Sequence, residues 1–127
     1  MSFIVAAEVP RPVEEVFDHI VEPGLLSSYF TSEASGPLIA SAHVAWRWAD
    51  GRSETVDVEE VETNRRVVFR RATGTKVTIA LEALEPNRTK VTIAEEGGTP
   101  AFEDGALWER MLLCLKARMA FGIDLRG

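Results

Sequence analysis

The sequence has little cysteine and histidine, and each shortage argues against a class of site. Its only cysteine, Cys114, cannot form an internal disulfide and is consistent with a reducing compartment. The two histidines, His19 and His43, are far apart and lack the three or four convergent ligands that a zinc site needs. We therefore expect no metal and no cofactor, and we interpret both histidines as surface or edge residues.

Long apolar runs and clustered positive charge are also missing. No stretch approaches the roughly 20 apolar residues of a membrane span, and the N-terminus has no secretory signal pattern. Fourteen basic against twenty acidic residues give a net charge of −6, and the basic residues are dispersed. We predict a cytoplasmic protein that binds neither nucleic acid nor membranes. At 127 residues it should form a single domain, 1–127.

Recognisable catalytic motifs are absent as well. The chain contains no G-x-S-x-G, P-loop or G-x-G-x-x-G pattern. Cys114 has no nearby base in the sequence that could activate its thiol as a nucleophile. These patterns identify no catalytic residue.

The C-terminal segment is the most apolar part of the chain and predicts a long helix that lies on a large apolar surface. At about 100° per residue, one stripe of this helix carries Trp108, Met111, Leu112, Leu115 and Met119. A helix of this kind needs an apolar sheet face as its partner.

The opposite face of the same helix carries Leu113, Ala117 and Ala120. Small apolar side chains let another chain approach closely, so this face permits a homodimer. Single exposed apolar residues are also normal on monomers. The sequence leaves both interpretations open.

Alternating apolar residues upstream predict an antiparallel meander. A strand near 3–9 is followed by an amphipathic helix that begins at Pro12 and by a second short helix near 25–30. Further strand-like runs, each bounded by turn residues, cover 42–49, 53–62, 66–73, 76–85 and 88–96.

The register of the first hairpin follows from the same alternation. A two-residue turn at 50–51 would pair Val44 with Asp57 and place charge on the buried face. A three-residue loop pairs Val44 with Val58 and keeps one face apolar, so we predict that register. Strand parity also points Glu60 inward unless a bulge moves it.

Several segments carry a resemblance to a known family: Val13 to Phe17, Tyr29-Phe30, His43 to Trp48, Arg65 to Phe69, Thr89 to Ile93 and Trp108 to Met119. With the element order, they resemble the START-like (SRPBCC) superfamily and, within it, bacterial AHSA-type homologues of the activator of the heat-shock-protein ATPase. The resemblance implies an α+β helix-grip (START-like, Bet v-like) fold. In it, a curved antiparallel sheet of about six strands wraps around the long C-terminal helix, with two short helices after the first strand.

Members of the superfamily enclose a cavity that holds lipids, polyketides, hormones or peptide-like partners, which predicts a ligand cavity between the last helix and the sheet. We expect its apolar lining to include Tyr29, Trp46, Trp48, Phe69, Trp108, Met111, Leu112 and Leu115. Ordinary core filling is the alternative interpretation of these residues.

Two charged residues, Arg71 and Glu95, stand where members often carry an aromatic residue and a histidine. The hairpin registers bring them to the same end of the meander, and we expect the two side chains to approach each other. They would form a polar anchor for a ligand. The alternative is a partly solvated ion pair across the sheet.

Three functions stay open. The leading hypothesis is a non-catalytic protein that binds a small, largely apolar molecule. The second is a cyclase-type or hydrolase-type enzyme in which Arg71, Glu95 or Glu60 provides acid–base chemistry. The third, implied only by the family's name, is a co-chaperone-like module that regulates a heat-shock-protein ATPase.

Overall fold

A computed structural model describes residues 2–97 and 102–125, with side chains at 4–97 and 106–125. The elements in chain order are β1 (Ser2–Val9), α1 (Val13–Val21), α2 (Pro23–Leu26), β2 (Glu33–Ala34), β3 (His43–Arg47), β4 (Ser53–Glu62), β5 (Arg66–Arg70), β6 (Lys76–Glu85), β7 (Arg88–Glu96) and α3 (Phe102–Phe121). The strands form one antiparallel sheet of seven, in the order β1-β7-β6-β5-β4-β3-β2. The sheet curls around α3, which confirms the α+β helix-grip fold.

The strand that the sequence did not predict is β2, which has only two residues. It lies in a segment whose Ser, Gly and Pro content is typical of a loop. Backbone hydrogen bonds on both sides extend its pairing with β3, from the Ser32 N–H to the Arg47 carbonyl (2.8 Å) and from the Ser35 N–H to the Ala45 carbonyl (2.9 Å). The meander prediction of about six strands was therefore one short.

The predicted register of the β3–β4 hairpin is wrong by two residues. Val44 pairs with Val56, and Trp46 pairs with Glu54. The loop does have three residues, but it occupies 49–51 and is closed by a 2.9 Å bond from the Trp48 N–H to the Arg52 carbonyl. A shift of two residues preserves strand parity, so the apolar face survives. Its consequence is that Glu54 lies opposite Trp46 and belongs to the inner face.

A bulge in β4 decides the position of Glu60. The β4–β5 register shifts between Val58 and Glu60. Glu60 then lies on the exposed side, where its Oε1 accepts a 2.7 Å hydrogen bond from Arg66. This ion pair raises the pKa of the Arg66 guanidinium. Glu60 is therefore removed from the inner face, and the expectation that it could provide acid–base chemistry there is wrong.

The buried core lies between α3 and the sheet, and α1 covers one end. Each predicted residue of the α3 stripe is at most 8% exposed, and together with sheet residues from Val9 onward the stripe forms one apolar cluster. Gly122 (φ 67°) follows the last residue of the helix in the left-handed conformation, and its N–H bonds to the Arg118 carbonyl at 3.0 Å. Among the described residues, no helix is both long and apolar enough to span a membrane.

Candidate functional site

The space between α3 and the sheet is occupied by aromatic rings packed edge to face. Trp46 and Trp108 are 1% and 0% exposed, and Phe69 is completely buried between them. The ring centroids of Trp46 and Phe69 are 5.5 Å apart, and those of Phe69 and Trp108 are 6.2 Å apart. Phe30 adds a further edge contact to Trp46 at 5.7 Å. These distances are those of a packed aromatic core.

This packing places most of the residues that were predicted to line a cavity in the core. Seven of them belong to the buried core cluster: Tyr29, Trp46, Phe69, Trp108, Met111, Leu112 and Leu115. Tyr29 and Trp48, which packs against this cluster, also line an open cleft beside α3. The cleft therefore lies outside the packed aromatic core.

The cleft has a volume of about 500 Å³ and three walls. One comes from the segment after α2, one from the β3–β4 hairpin, and one from α3 and the segment after it. Its lining residues are Ser27, Tyr29, Phe30, Ser32, Trp48, Ala49, Asp50, Arg52, Leu107, Arg110, Cys114 and Asp124.

A smaller cavity of about 230 Å³ lies beside the cleft. It is lined by Trp48, Arg52, Ser53, Glu54, Arg71 and Leu107. Trp48, Arg52 and Leu107 belong to both linings, so these three side chains separate the two spaces. The inner wall of the smaller cavity is an ion pair rather than an apolar surface.

That ion pair consists of Arg71 and Glu54. The Arg71 Nε and Nη2 groups donate to the two carboxylate oxygens of Glu54, each at 2.8 Å. This is the bidentate geometry in which arginine binds a carboxylate most strongly. The sequence analysis did not identify Glu54, although Glu54 shares strand parity with the inward residues Val56 and Val58. Strand parity was therefore the signal that could have predicted an inward position for Glu54.

Arg71 also contacts Glu95, as predicted. Its Nη1 donates to Glu95 Oε2 at 3.1 Å, and the two side chains are only 7% and 1% exposed. The pair is thus buried, and the alternative of a partly solvated ion pair across the sheet is wrong.

Glu95 is held by two further donors. The Trp108 indole N–H donates to its Oε1 at 2.7 Å, and the Thr75 hydroxyl donates to its Oε2 at 2.6 Å. The Arg71 guanidinium carbon lies 5.5 Å from the Trp108 ring centroid, within range of a cation–π interaction. A buried carboxylate is stable only when it is paired and hydrogen-bonded, and Glu95 meets both conditions.

The Tyr29 ring lines the cleft, but its hydroxyl points to an internal partner. The hydroxyl donates to the His19 carbonyl at 3.0 Å. Burial raises the pKa of the Tyr29 phenol well above its usual range, with a smaller contribution from Cys114. The Tyr29 hydroxyl is therefore bonded inside the protein.

The hairpin wall carries an ordered pair of opposite charges. The Arg52 Nε donates to Asp50 Oδ2 at 2.7 Å, and the guanidinium lies 6.0 Å from the Trp48 ring centroid. The hydrogen bond from the Arg52 backbone N–H is the main cause that lowers the pKa of the Asp50 carboxyl. Within the described part of the chain, no group of three or more His, Cys, Asp or Glu side chains could hold a metal ion.

Comparison with known proteins gives a family match and related structures. The model of a family described as "Activator of Hsp90 ATPase homolog 1-like protein" matches residues 10–119. A protein from Staphylococcus saprophyticus is 26% identical over 100% of this chain and 97% of its own, with a TM-score of 0.85. No curated protein matches the sequence.

Two other solved structures are similar in fold. DynU16, from the dynemicin biosynthetic locus, is 25% identical with a TM-score of 0.84, over 95% of this chain and 48% of its own. The Aha1 dimer from Colwellia psychrerythraea is 20% identical with a TM-score of 0.83, over 96% of this chain and 98% of its own.

Proposed function

Since the chain belongs to the family of Activator of Hsp90 ATPase homolog 1-like proteins, we propose that it binds a small, largely apolar molecule in the cleft beside α3. The observation that carries the proposal is the cleft itself, about 500 Å³ in volume with Tyr29, Phe30 and Trp48 in its walls. Sites for small molecules are typically concave, of about 300–1,000 Å³, and rich in aromatic and apolar side chains.

The buried stripe of α3 has an indirect role in this proposal. Trp108 and Met111 fix the helix against the sheet and are 0% and 1% exposed. Leu107 and Cys114 lie on the flank of that stripe and line the cleft. The ligand thus contacts the flank of the helix, while the buried stripe holds the wall in place.

The experiment is a titration with N-phenylnaphthylamine, a neutral fluorescent probe with an apolar ring system. We expect saturable binding with one site per chain. Leu107→Glu, which places a charge between the two cavities, should abolish it. Ile4→Glu is the matched control because Ile4 is 68% exposed on β1 and does not line the cleft. Equal probe affinity in the two variants would contradict the proposal, provided that both retain the native circular dichroism spectrum.

A second candidate function is catalysis of the cyclase or hydrolase type, favoured by the ion pair in the smaller cavity. Glu54 is 15% exposed there, and a carboxylate in reach of a bound molecule can act as a general base. The similarity to DynU16, from a biosynthetic locus, is compatible with this function. Hydrolysis of naphthyl esters that is lost in Glu54→Gln but kept in the exposed control Glu59→Gln would support it. The co-chaperone-like function rests on the family's name alone.

We also propose that the outer face of α3 forms a homodimer. Leu113 is 61% exposed and Phe121 is 73% exposed, while Ala117 and Ala120 are partly buried beside them. The Colwellia psychrerythraea relative was solved as a dimer. Sedimentation equilibrium should give a dimer for the native protein and a monomer for Leu113→Glu. A native monomer at all concentrations would contradict this assembly.

A further inference from the structure

We propose that the smaller cavity beside the cleft binds a hydroxyl group of the ligand, which donates a hydrogen bond to the Glu54 carboxylate. The inference rests on the proposed function, because the apolar body of the same molecule lies in the cleft. It names the chemical class of the ligand: an apolar ring system that carries an alcohol or phenol hydroxyl.

The cleft and the smaller cavity can hold one molecule because they share a wall. Trp48, Arg52 and Leu107 line both the cleft of about 500 Å³ and the cavity of about 230 Å³. Trp48 and Leu107 are half-buried and pack against the core cluster, so they provide fixed apolar surface at the boundary. A ring system that rests on these two side chains extends from the cleft to the smaller cavity.

Arg71, in the inner wall of the smaller cavity, already donates to carboxylates through all three of its nitrogens. Its Nε and Nη2 groups bond to Glu54 at 2.8 Å, and its Nη1 bonds to Glu95 at 3.1 Å. Glu95 is 1% exposed and also accepts from Thr75 and Trp108. The donors of Arg71 and the oxygens of Glu95 are thus committed to internal partners.

Glu54 is the acceptor of this wall that a ligand can reach. Its side chain is 15% exposed and lines the cavity, whereas the neighbouring Ser53 has the opposite strand parity. A carboxylate has about four lone-pair positions on its two oxygens, and the bidentate bond to Arg71 occupies two of them. The remaining positions only accept hydrogen bonds, so the matching group of the ligand is a donor.

Arg52 makes a hydroxyl a better match than a group that only donates. It lines the same cavity, and its two terminal nitrogens make no hydrogen bond to any residue that the structure describes. Arg52 and Glu54 form no ion pair with each other, although both side chains are described. A hydroxyl in the cavity can donate to Glu54 and accept from Arg52. An ammonium group has donors alone and would leave the Arg52 nitrogens without an acceptor.

The experiment compares 2-naphthol with 2-methoxynaphthalene, which has the same ring system and oxygen atom but no hydrogen-bond donor. Equilibrium dialysis of the full chain measures the affinity for each compound. We expect the native protein to bind 2-naphthol about tenfold more tightly, the factor for one hydrogen bond to a charged acceptor. The preference should decrease to about threefold or less in Glu54→Gln, because a neutral amide oxygen is the weaker acceptor.

Glu59→Gln is the matched control and should keep the preference of the native protein. Glu59 is also a carboxylate of β4 bound to an arginine, Arg70, at 2.8 Å, but it is exposed and lines neither space. Nuclear Overhauser contacts in the native protein give a second measurement that does not depend on the stability of a variant. We expect contacts between the ring protons next to the naphthol hydroxyl and the side-chain methylene protons of Glu54.

The outcomes separate this inference from the proposed function. Equal affinity of the native protein for the two compounds, or an undiminished preference in Glu54→Gln, would overturn the hydroxyl inference and leave binding in the cleft standing. An equal loss of preference in Glu59→Gln, or Overhauser contacts only outside the smaller cavity, would overturn it as well. Binding of N-phenylnaphthylamine without binding of 2-naphthol would have the same meaning. Failure of all three compounds to bind would overturn the proposed function itself.

Discussion

Replacing Glu95 with glutamine tests the buried polar network without changing its volume. Glu95 accepts hydrogen bonds from Arg71, Thr75 and Trp108 at distances of 3.1, 2.6 and 2.7 Å. A glutamine side chain has one oxygen, so its amide nitrogen must face at least one of these donors. The substitution also removes the negative charge beside Arg71, whose side chain is 7% exposed.

The expected loss of stability follows from the burial of the pair. Removing one partner from a buried ion pair costs about 3–5 kcal/mol, and we expect about 3 kcal/mol because glutamine retains one acceptor. For a chain of this length, about 3 kcal/mol corresponds to a decrease in Tm of about 10 °C. An exposed pair would lose under about 1 kcal/mol. The two cases are therefore easy to distinguish.

Urea unfolding followed by circular dichroism gives the free energy directly. Glu96→Gln is the control, since Glu96 is the exposed neighbour on the other side of β7. Adding Arg71→Met to Glu95→Gln should cost less than the sum of the single losses, because the two residues interact. A Glu95→Gln protein within about 0.5 kcal/mol of Glu96→Gln would refute the reasoning.

Three further predictions concern the core and the cleft wall. Tyr29 is the only tyrosine, and burial raises the pKa of its phenol above the ordinary value of 10.0. The neutral phenol therefore stabilises the folded state below pH 10.0, and this stability is lost as the pH rises above that value. Ultraviolet titration should show tyrosinate only on unfolding, and Tyr29→Phe should reduce the alkaline loss of stability; reversible titration of a folded protein near pH 10.0 would contradict this. Trp108→Ala should cost about 3–5 kcal/mol in urea unfolding, as expected for a packed site, and a much smaller loss would indicate a hollow. Met111→Lys should unfold the protein by circular dichroism, because Met111 is 1% exposed, and a native spectrum would contradict a solid core.

The element boundaries were largely predictable because period-two and helical spacing determine which faces are apolar. The hairpin register was not, since a shift of two residues leaves the apolar face intact. The observed register pairs Trp46 with Glu54 and brings the Glu54 carboxylate to Arg71. That interaction joins residues 17 positions apart in sequence, across strands whose alignment the pattern alone does not specify.

The position of the cleft was harder to predict than the fold. The pattern correctly identified Trp46, Phe69 and Trp108 as inward residues, but it contains no information on whether their volumes fill the interior. Phe30 contacts two of these rings and contributes to filling that space. The residual space lies where α3, the hairpin and the segment after α2 meet, and its size depends on tertiary packing.

The most direct test of ligand binding in the cleft is an NMR titration that follows the three tryptophan indole N–H signals. Trp48 lines the cleft, whereas Trp46 and Trp108 are in the packed core. Titration with N-phenylnaphthylamine should shift the Trp48 signal saturably, with one site per chain, and leave the Trp46 and Trp108 signals nearly unchanged. Shifts confined to Trp46 and Trp108, or no saturable shift of Trp48, would contradict binding in the cleft.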